Sequence, residues 1–274
     1  MRTLDGMTCA ITGASSGIGR ALAVELHDRG ARLALAARRV NLLDELNAEL
    51  GGGHLVVSCD VAVEDDCRRL VAETVGRFGR LDTMVANAGY GSAKRGIDMT
   101  RSDWQAMYAT NVFGTADCCR FAAQAMREQP EADGYRGQLV LVSSAAARRG
   151  LPFFGAYAGT KAAQLSLAEA LRTELAADRI AVTTVHPVGT ASEFMDVAER
   201  TGGQRVNTPG RSPVQQTAET VARKTAGVIA RPRRELWPAR GSRALLALAA
   251  GVPALGDTVM KTALRSIEKH QARE

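Results

Sequence analysis

Tyr157 and Lys161 stand four residues apart in the run Tyr157-Ala158-Gly159-Thr160-Lys161. On a helix that spacing puts both side chains on one face, so a phenol and an ammonium can address one ligand. A phenol at its ordinary pKa of about 10 is a poor base at neutral pH. A neighbouring cation favours the phenolate, and lowering the value by about 3 units takes roughly 4 kcal/mol. A lysine together with a second positive group can supply that in a low-dielectric cleft. Such a phenol takes a proton from a hydroxyl or returns one to a developing alkoxide. The pair alone is a common pattern, and its meaning depends on what the fold brings beside it. Ser143-Ser144 ends one apolar run and Asn87-Ala88-Gly89 ends another. Asn111 interrupts an otherwise apolar helical stretch, Asn111-Val112-Phe113-Gly114. Buried there it needs a partner: a water or backbone group near a site, or a local kink that it caps.

The second candidate is Thr12-Gly13-Ala14-Ser15-Ser16-Gly17-Ile18-Gly19, set between the apolar run 7–11 and a helical pattern from Arg20. Strand, glycine turn and helix together hold a pyrophosphate on a helix N-terminus. The spacing is G-x-x-x-G-x-G. Residues 13–17 also satisfy G-x-S-x-G, the nucleophile elbow of serine hydrolases; Ser15 would then be a nucleophile, with His186 or His270 completing a triad. A tight turn without a ligand is the third reading. In a dinucleotide site the tip of the second strand meets the adenosine ribose, where a carboxylate suits NAD and an arginine suits the 2′-phosphate of NADP. That strand ends Ala36-Ala37-Arg38-Arg39, with no carboxylate. Guanidinium offers a planar fork to phosphate. The expectation is NADP(H) in preference to NAD(H), mainly through Arg38 with Arg39 beside it; the plainer reading is two solvated arginines.

The elements that must position these groups alternate strand and helix with short connections, which predicts a parallel sheet covered on both faces. Strands are expected near residues 7–11, 32–38, 54–61, 81–88, 138–143 and 180–186. Helices are expected near 20–26, 41–50, 64–78, 102–126, 154–176 and 217–230. Residues 190–215, rich in Gly, Thr, Pro and Ser, break the rhythm and read as a long loop, best taken as a lid. Glu235-Leu236-Trp237 reads as a short strand.

With these motifs in order, the chain resembles the short-chain dehydrogenase/reductase family over residues 7 to 230. The match rests on Thr12 to Gly19, Asp60, Asn87-Ala88-Gly89, Asn111, Ser144, Tyr157 and Lys161. The gap from Ser144 to Tyr157 fits the family's spacing and selects Ser144 over Ser143. The resemblance implies a Rossmann-type doubly wound sheet in the order 3-2-1-4-5-6-7, forming a single domain with a helical C-terminal extension (1–230 and 231–274). It implies a reversible carbonyl/alcohol oxidoreductase. Tyr157 would be the acid–base group, Ser144 would hold the substrate oxygen, Lys161 would bind the nicotinamide ribose, and Asn111 would support a water relay to Lys161. Gly13, Ser15, Ser16, Gly17, Ile18 and Gly19 would cradle the cofactor. Asp60 and Val61 would contact adenine, and Asn87, Ala88 and Gly89 the adenosine side. After strand six the family usually shows P-G-x-V-x-T; here the run is Pro187-Val188-Gly189-Thr190-Ala191-Ser192, and either Thr190 or Ser192 could serve the carboxamide. Two other classes stay open: an NADP-binding sensor or scaffold with little turnover, and the hydrolase built on Ser15.

Composition bounds the rest. The chain has 274 residues, 46% apolar and 23% charged, an ordinary make-up for one α/β domain. No charged start followed by an apolar run is present, so no secretory leader is expected, and no apolar stretch is long enough to span a bilayer. Cys9, Cys59, Cys67, Cys118 and Cys119 form no C-x-x-C pair and read as reduced thiols of a cytoplasmic protein. Four histidines without H-E-x-x-H predict no metal. Residues 231–274 hold nine Lys/Arg against four Asp/Glu, so most of the net charge of +6 sits there. Without an aromatic-basic stripe, nucleic acid is not an expected partner. Leu255, Val259, Ala263 and Ile267 recur every four residues, which fits a helix packed on its own domain or a sister subunit, or lying in a membrane interface. A homodimer through the long helices is expected. The pocket walls are expected at Tyr90 to Gly96, Leu151 to Gly155 and 190–215. Leu151, Pro152, Phe153, Phe154, Phe194 and Met195 suggest an apolar substrate body; Arg148 and Arg149 are open to an anion or to solvent.

Overall fold

The computed structural model describes residues 1–191, 193–206, 216–239 and 241–271. Side chains at Ala191, Ala250, Leu255, Val259, Ala263 and 266–271 fall outside that description, and with them the four-residue apolar repeat of the tail.

Seven strands form one sheet in the order β3-β2-β1-β4-β5-β6-β9. They are β1 (Thr8–Thr12), β2 (Arg32–Ala37), β3 (Leu55–Ser58), β4 (Thr83–Ala86), β5 (Gly137–Val142), β6 (Ile180–Val185) and β9 (Glu235–Leu236). Every neighbouring pair is parallel, with Thr12 beside Ala36, Ile11 beside Val85, and Val142 beside Val185. Strands β1 and β5 are buried throughout, which is why their sequences are continuous apolar runs and do not alternate. The expected order is observed, and its seventh strand lies beyond residue 230. Two further short strands, β7 (Thr190–Ala191) and β8 (Gln216–Thr217), pair with each other apart from the sheet.

One face packs α1 (Gly17–His27), α2 (Val40–Glu49) and α8 (Ala218–Ala230) around Leu22, Leu26, Leu43, Leu46, Val221 and Ile229. The other packs α3 (Glu64–Phe78), α5 (Gly114–Arg127) and α6 (Gly155–Glu174) around Leu70, Cys118, Ala122, Met126 and Ala168. All five cysteines are free and buried in these layers. The chain runs outward from β1 through β2 to β3, then restarts at β4 on the other side. That reversal opens a crevice at the carboxyl ends of β1 and β4, where open α/β sheets hold their ligands.

Two elements differ from the sequence reading. The expected helix 102–126 is three pieces: α4 (Arg101–Tyr108), a π-helical turn (Ala109–Phe113) and α5. Such turns recur at functional sites, and this one carries Asn111. Residues 190–215 are not all loop: α7 (Phe194–Gly202) forms there. Its Ala198 is buried with Ala93, Phe153 and Val206, so tertiary burial sustains a helix that the surrounding Gly, Thr and Pro obscured. The tail forms α9 (Ser242–Gly251) and α10 (Pro253–Gln271). No described helix is long and apolar enough to cross a membrane.

Candidate active site

The glycine turn is built as its spacing requires. Gly13 and Gly17 have φ of +68° and +54°, the left-handed region that glycine enters at no steric cost. A Cβ on Gly19 would lie 2.3 Å from the Gly13 carbonyl oxygen and 2.6 Å from Asn87 Nδ2, so α1 can approach the turn only as glycine. Thr12 ties the turn to β4: its Oγ1 accepts from the amides of Asn87 and Ala88, each at 3.1 Å. Asn87 Nδ2 donates to Thr12 O at 2.9 Å. Ile18 packs on the core below. The result is an open cradle at the start of a helix, the shape and polarity an anion wants.

Arg38 and Arg39 leave the end of β2 in two directions. Arg38 Nη1 lies 3.9 Å from Asp60 Oδ2 and is largely exposed. Arg39 Nη2 donates to Ser15 Oγ at 3.2 Å and to Ser16 Oγ at 2.8 Å, and the same guanidinium meets Glu193 at 3.3 Å. Asp60 Oδ1 accepts from Ala62 N at 3.0 Å. Val61 packs so closely on Gly114 that a Cβ there would clash with its carbonyl. Guanidinium groups and serine hydroxyls thus converge on one rim of the crevice.

At the other rim lie the remaining groups. Ser144 follows β5 and its Oγ accepts from Ala146 N at 3.1 Å. Pro187, after β6, fixes that segment by accepting from Ala145 N at 3.0 Å. Tyr157 is half-buried on α6. Desolvation pushes its phenol up to about 12, and a side-chain hydrogen bond with Ser144 pulls the other way. Lys161 is buried; desolvation holds its ammonium down to about 7. Its Nζ donates to Val142 O at 2.8 Å and Gln164 Oε1 at 3.0 Å, and sits 5.7 Å from the centre of the Tyr157 ring. Gly89 lets the β4 loop close over this pair, since a Cβ there would reach 3.1 Å from Asn111 Oδ1 and 3.5 Å from Lys161 Nζ. Asn111 is fully buried. Its side chain clamps the Tyr90 backbone, accepting from N at 3.0 Å and donating to O at 2.9 Å, and donates to Thr160 Oγ1 at 3.0 Å.

Gly189 bends the segment after β6 with φ +48°. Next to it, Thr190 Oγ1 is buried with no hydrogen-bond partner among the described residues. A buried hydroxyl without a protein partner can take a hydrogen bond from a ligand atom. Ser192 lies outside the described residues. Phe154, Tyr157 and Phe194 form an aromatic group, with the Tyr157 and Phe194 rings 5.0 Å apart. Phe153 instead joins the small core beneath α7. Arg148 and Arg149 are committed. Arg148 meets Glu235 at 3.1 Å; Arg149 pairs with Asp257 and donates to Ala249 O and Pro253 O, tying α9 and α10 to the loop after β5.

The hydrolase arrangement is not assembled among the described residues. Ser15 faces Arg39, and the His186 ring lies 3.0 Å from Thr184 Oγ1 and 3.2 Å from Ser144 O, stacked on Trp237. His270 has no described side chain. Gln164, Thr160 and Thr115, to which the motifs assign no role, join the buried network. One signal pointed to Gln164: Tyr157, Lys161 and Gln164 follow i, i+4, i+7 spacing, a polar stripe on a helix face that must meet the core.

Residues 7–202 match the family model for short chain dehydrogenase. An 11-beta-hydroxysteroid dehydrogenase 1A from Arabidopsis thaliana is 43% identical over 198 residues, 70% of this chain and 54% of that protein. A sorbitol dehydrogenase from Cereibacter sphaeroides is 32% identical over 80% of this chain and 84% of its own length. The chain spans about half the length of the plant relatives it matches. Among solved structures, a short chain dehydrogenase/reductase from Burkholderia phymatum in complex with NAD superposes with a TM-score of 0.82 at 26% identity, over 93% of this chain and 97% of that one. An alcohol dehydrogenase from Thermococcus sibiricus complexed with 5-hydroxy-NADP gives 0.72 at 25%, over 85% and 96%.

Proposed function

This chain belongs to the short-chain dehydrogenase family, and from that premise we propose that it is an NADP(H)-preferring oxidoreductase interconverting a carbonyl and an alcohol on an apolar substrate. The observation that carries the reading is the convergence of the Ser144 hydroxyl and the Lys161 ammonium on Tyr157 at the mouth of the crevice.

The residues fit a nicotinamide cofactor: the Gly13–Gly19 cradle would take its pyrophosphate, Arg38 with Arg39 its 2′-phosphate, Lys161 its ribose, and the orphaned Thr190 hydroxyl its carboxamide. The cofactor supplies or accepts the hydride. Ser144 donates a hydrogen bond to the substrate oxygen, where negative charge develops during reduction. Tyr157 hands its proton to that oxygen; a phenol raised by burial stays protonated at neutral pH and so is loaded for this direction. In oxidation the phenolate must form, and the Lys161 charge provides the opposing field, each pKa unit corresponding to about 1.4 kcal/mol. Asn111 acts on the scaffold, holding the Tyr90 backbone and Thr160. Phe154 and Phe194 give the substrate an apolar wall.

Plant relatives named for hydroxysteroids and a bacterial one named for sorbitol differ widely in substrate polarity; the aromatic wall favours a lipophilic carbonyl here. In this reading the tail packs on its own domain through Arg149 and through Leu264, which touches the Phe153–Ala198 core. The exposed Leu245 and Leu248 of α9, with Val252 just after it, are its free contact for a membrane surface, and a dimer would pair the long helices. Purified protein should consume NADPH with a panel of carbonyls, and Tyr157→Phe should abolish it. Faster turnover of small sugars than of any lipophilic carbonyl would reject the substrate class. Binding of NADPH without turnover would instead favour a sensor.

A further inference from the structure

Gln164 sits on α6 one turn beyond Lys161 and is 1% exposed. Its Oε1 accepts from Lys161 Nζ at 3.0 Å. Its Nε2 donates to Asn111 O at 2.6 Å and to Thr115 Oγ1 at 2.8 Å. Thr115 Oγ1 in turn donates to Asn111 O at 2.8 Å. The amide has one possible orientation. An ammonium only donates and a backbone carbonyl only accepts, so a flipped amide would set donor against donor and acceptor against acceptor.

We propose that Gln164 is a positioning residue for the reaction: its locked carboxamide spans from the Lys161 ammonium to the Asn111 carbonyl and holds the lysine charged without neutralising it. This rests on the roles given above to Tyr157 and Lys161. The family resemblance implies a water relay between Asn111 and Lys161; here the Gln164 side chain bridges the Lys161 ammonium and the Asn111 carbonyl. The chain of bonds also returns to the tyrosine, since Asn111 Nδ2 reaches Thr160 Oγ1, which donates to Tyr157 O at 2.7 Å.

Residue type matters here. Burial opposes the charge on Lys161, and no charged side chain among the described residues offsets it. The titratable group facing it is Tyr157 on its own helix. Strand β5 contributes the Val142 carbonyl, the π turn contributes Asn111, and the loop after β4 contributes Gly89. A neutral acceptor favours the ammonium yet leaves its field directed at the phenol. A carboxylate in the same place would hold the ammonium more firmly and cancel that field. An apolar side chain would remove one of two acceptors from a buried cation.

Gln164→Met and Gln164→Glu therefore make opposite demands on one lysine. The readout is 15N NMR titration of lysine side chains in the protein without cofactor, with the Lys161 signal assigned by its loss in Lys161→Arg. Thermal unfolding checks that each variant is folded. The Lys161 midpoint should fall by at least half a pH unit in Gln164→Met and rise by more than one in Gln164→Glu. Turnover should fall about tenfold or more in both, with KM for NADPH within threefold. An unchanged midpoint in Gln164→Met overturns the proposal even if turnover falls, because a packing role alone would leave the titration in place. Should that variant not fold, Thr115→Val, which removes one of the two groups fixing the amide, is read by the same criterion. A wild type that turns over no carbonyl would reject the proposed function, and the titration would still decide the role of Gln164.

Discussion

The Lys161 ammonium lies 5.7 Å from the centre of the Tyr157 ring, and both side chains leave the same buried helix face. Taken from water together, they move apart in acidity: the phenol up to about 12, the ammonium down to about 7. Burial pushes both groups toward their neutral forms, and a charged ligand beside them changes the balance.

That shift makes stability depend on pH with a definite sign. Lys161 binds its proton near 7 in the fold and near its ordinary value, about 10.5, when unfolded. Above about pH 7 the unfolded chain holds more protons, so stability rises with pH and is lost as pH falls toward 7. The clean window is pH 7 to 8.5, because above it the buried thiols of Cys9 and Cys119, raised to about 12, act oppositely. In Lys161→Met the rise of Tm across that window should flatten, measured by calorimetry without cofactor. An equal slope in both proteins would contradict the buried lysine.

Cofactor choice is tested at Arg38. Arg38→Ala should weaken NADPH by about tenfold or more, about 1.4 kcal/mol per decade, and leave NADH within about twofold, read by fluorescence titration. Equal losses for both would assign Arg38 to general charge. Arg39→Ala should cost less for the 2′-phosphate and loosen Ser15 and Ser16.

Gly19→Ala tests the cradle. Alanine gains about 1 kcal/mol over glycine in helix propensity, yet its Cβ would press on the Gly13 carbonyl at 2.3 Å. The clash should win: Tm falls by several degrees and both nucleotides bind at least tenfold more weakly. A stabilised variant with intact binding would show that α1 can move away freely.

Phe194→Ala removes the ring 5.0 Å from Tyr157. Aromatic pairs contribute about 0.5–1.5 kcal/mol beyond burial, so KM for bulky apolar carbonyls should rise severalfold. Small polar carbonyls should change little. If only the small substrates suffered, the wall would serve to orient Tyr157.

Much of this was legible in residue order. Buried parallel strands must be continuous apolar runs, so β1, β4, β5 and β6 announced themselves, and their alternation with helices determined the class of fold. Gly13, Gly17 and Gly19 were legible because only glycine satisfies a left-handed turn and a close helix approach. Tyr157 and Lys161 were legible because four residues is one helical turn. Helix α7 was not, since its amphipathic span is short and lies among turn-forming residues; burial of Ala198 and contact of Phe194 with Tyr157 stabilise it. The π turn at Asn111 was legible only as the alternative of a local kink, because one extra residue in a helix leaves no mark on composition.

By itself the sequence determined which groups meet at the sheet edge, since strand ends and helix faces follow from periodicity and turn chemistry. Only the tertiary structure decided what surrounds them. It directs Arg148 and Arg149 to Glu235 and Asp257, leaves Thr190 Oγ1 without a partner among the described residues, and sets Gln164 between Lys161 and Asn111. These are contacts between residues distant in the chain or a turn apart on a buried face. Their energies depend on exclusion of water and on angles that no local pattern encodes.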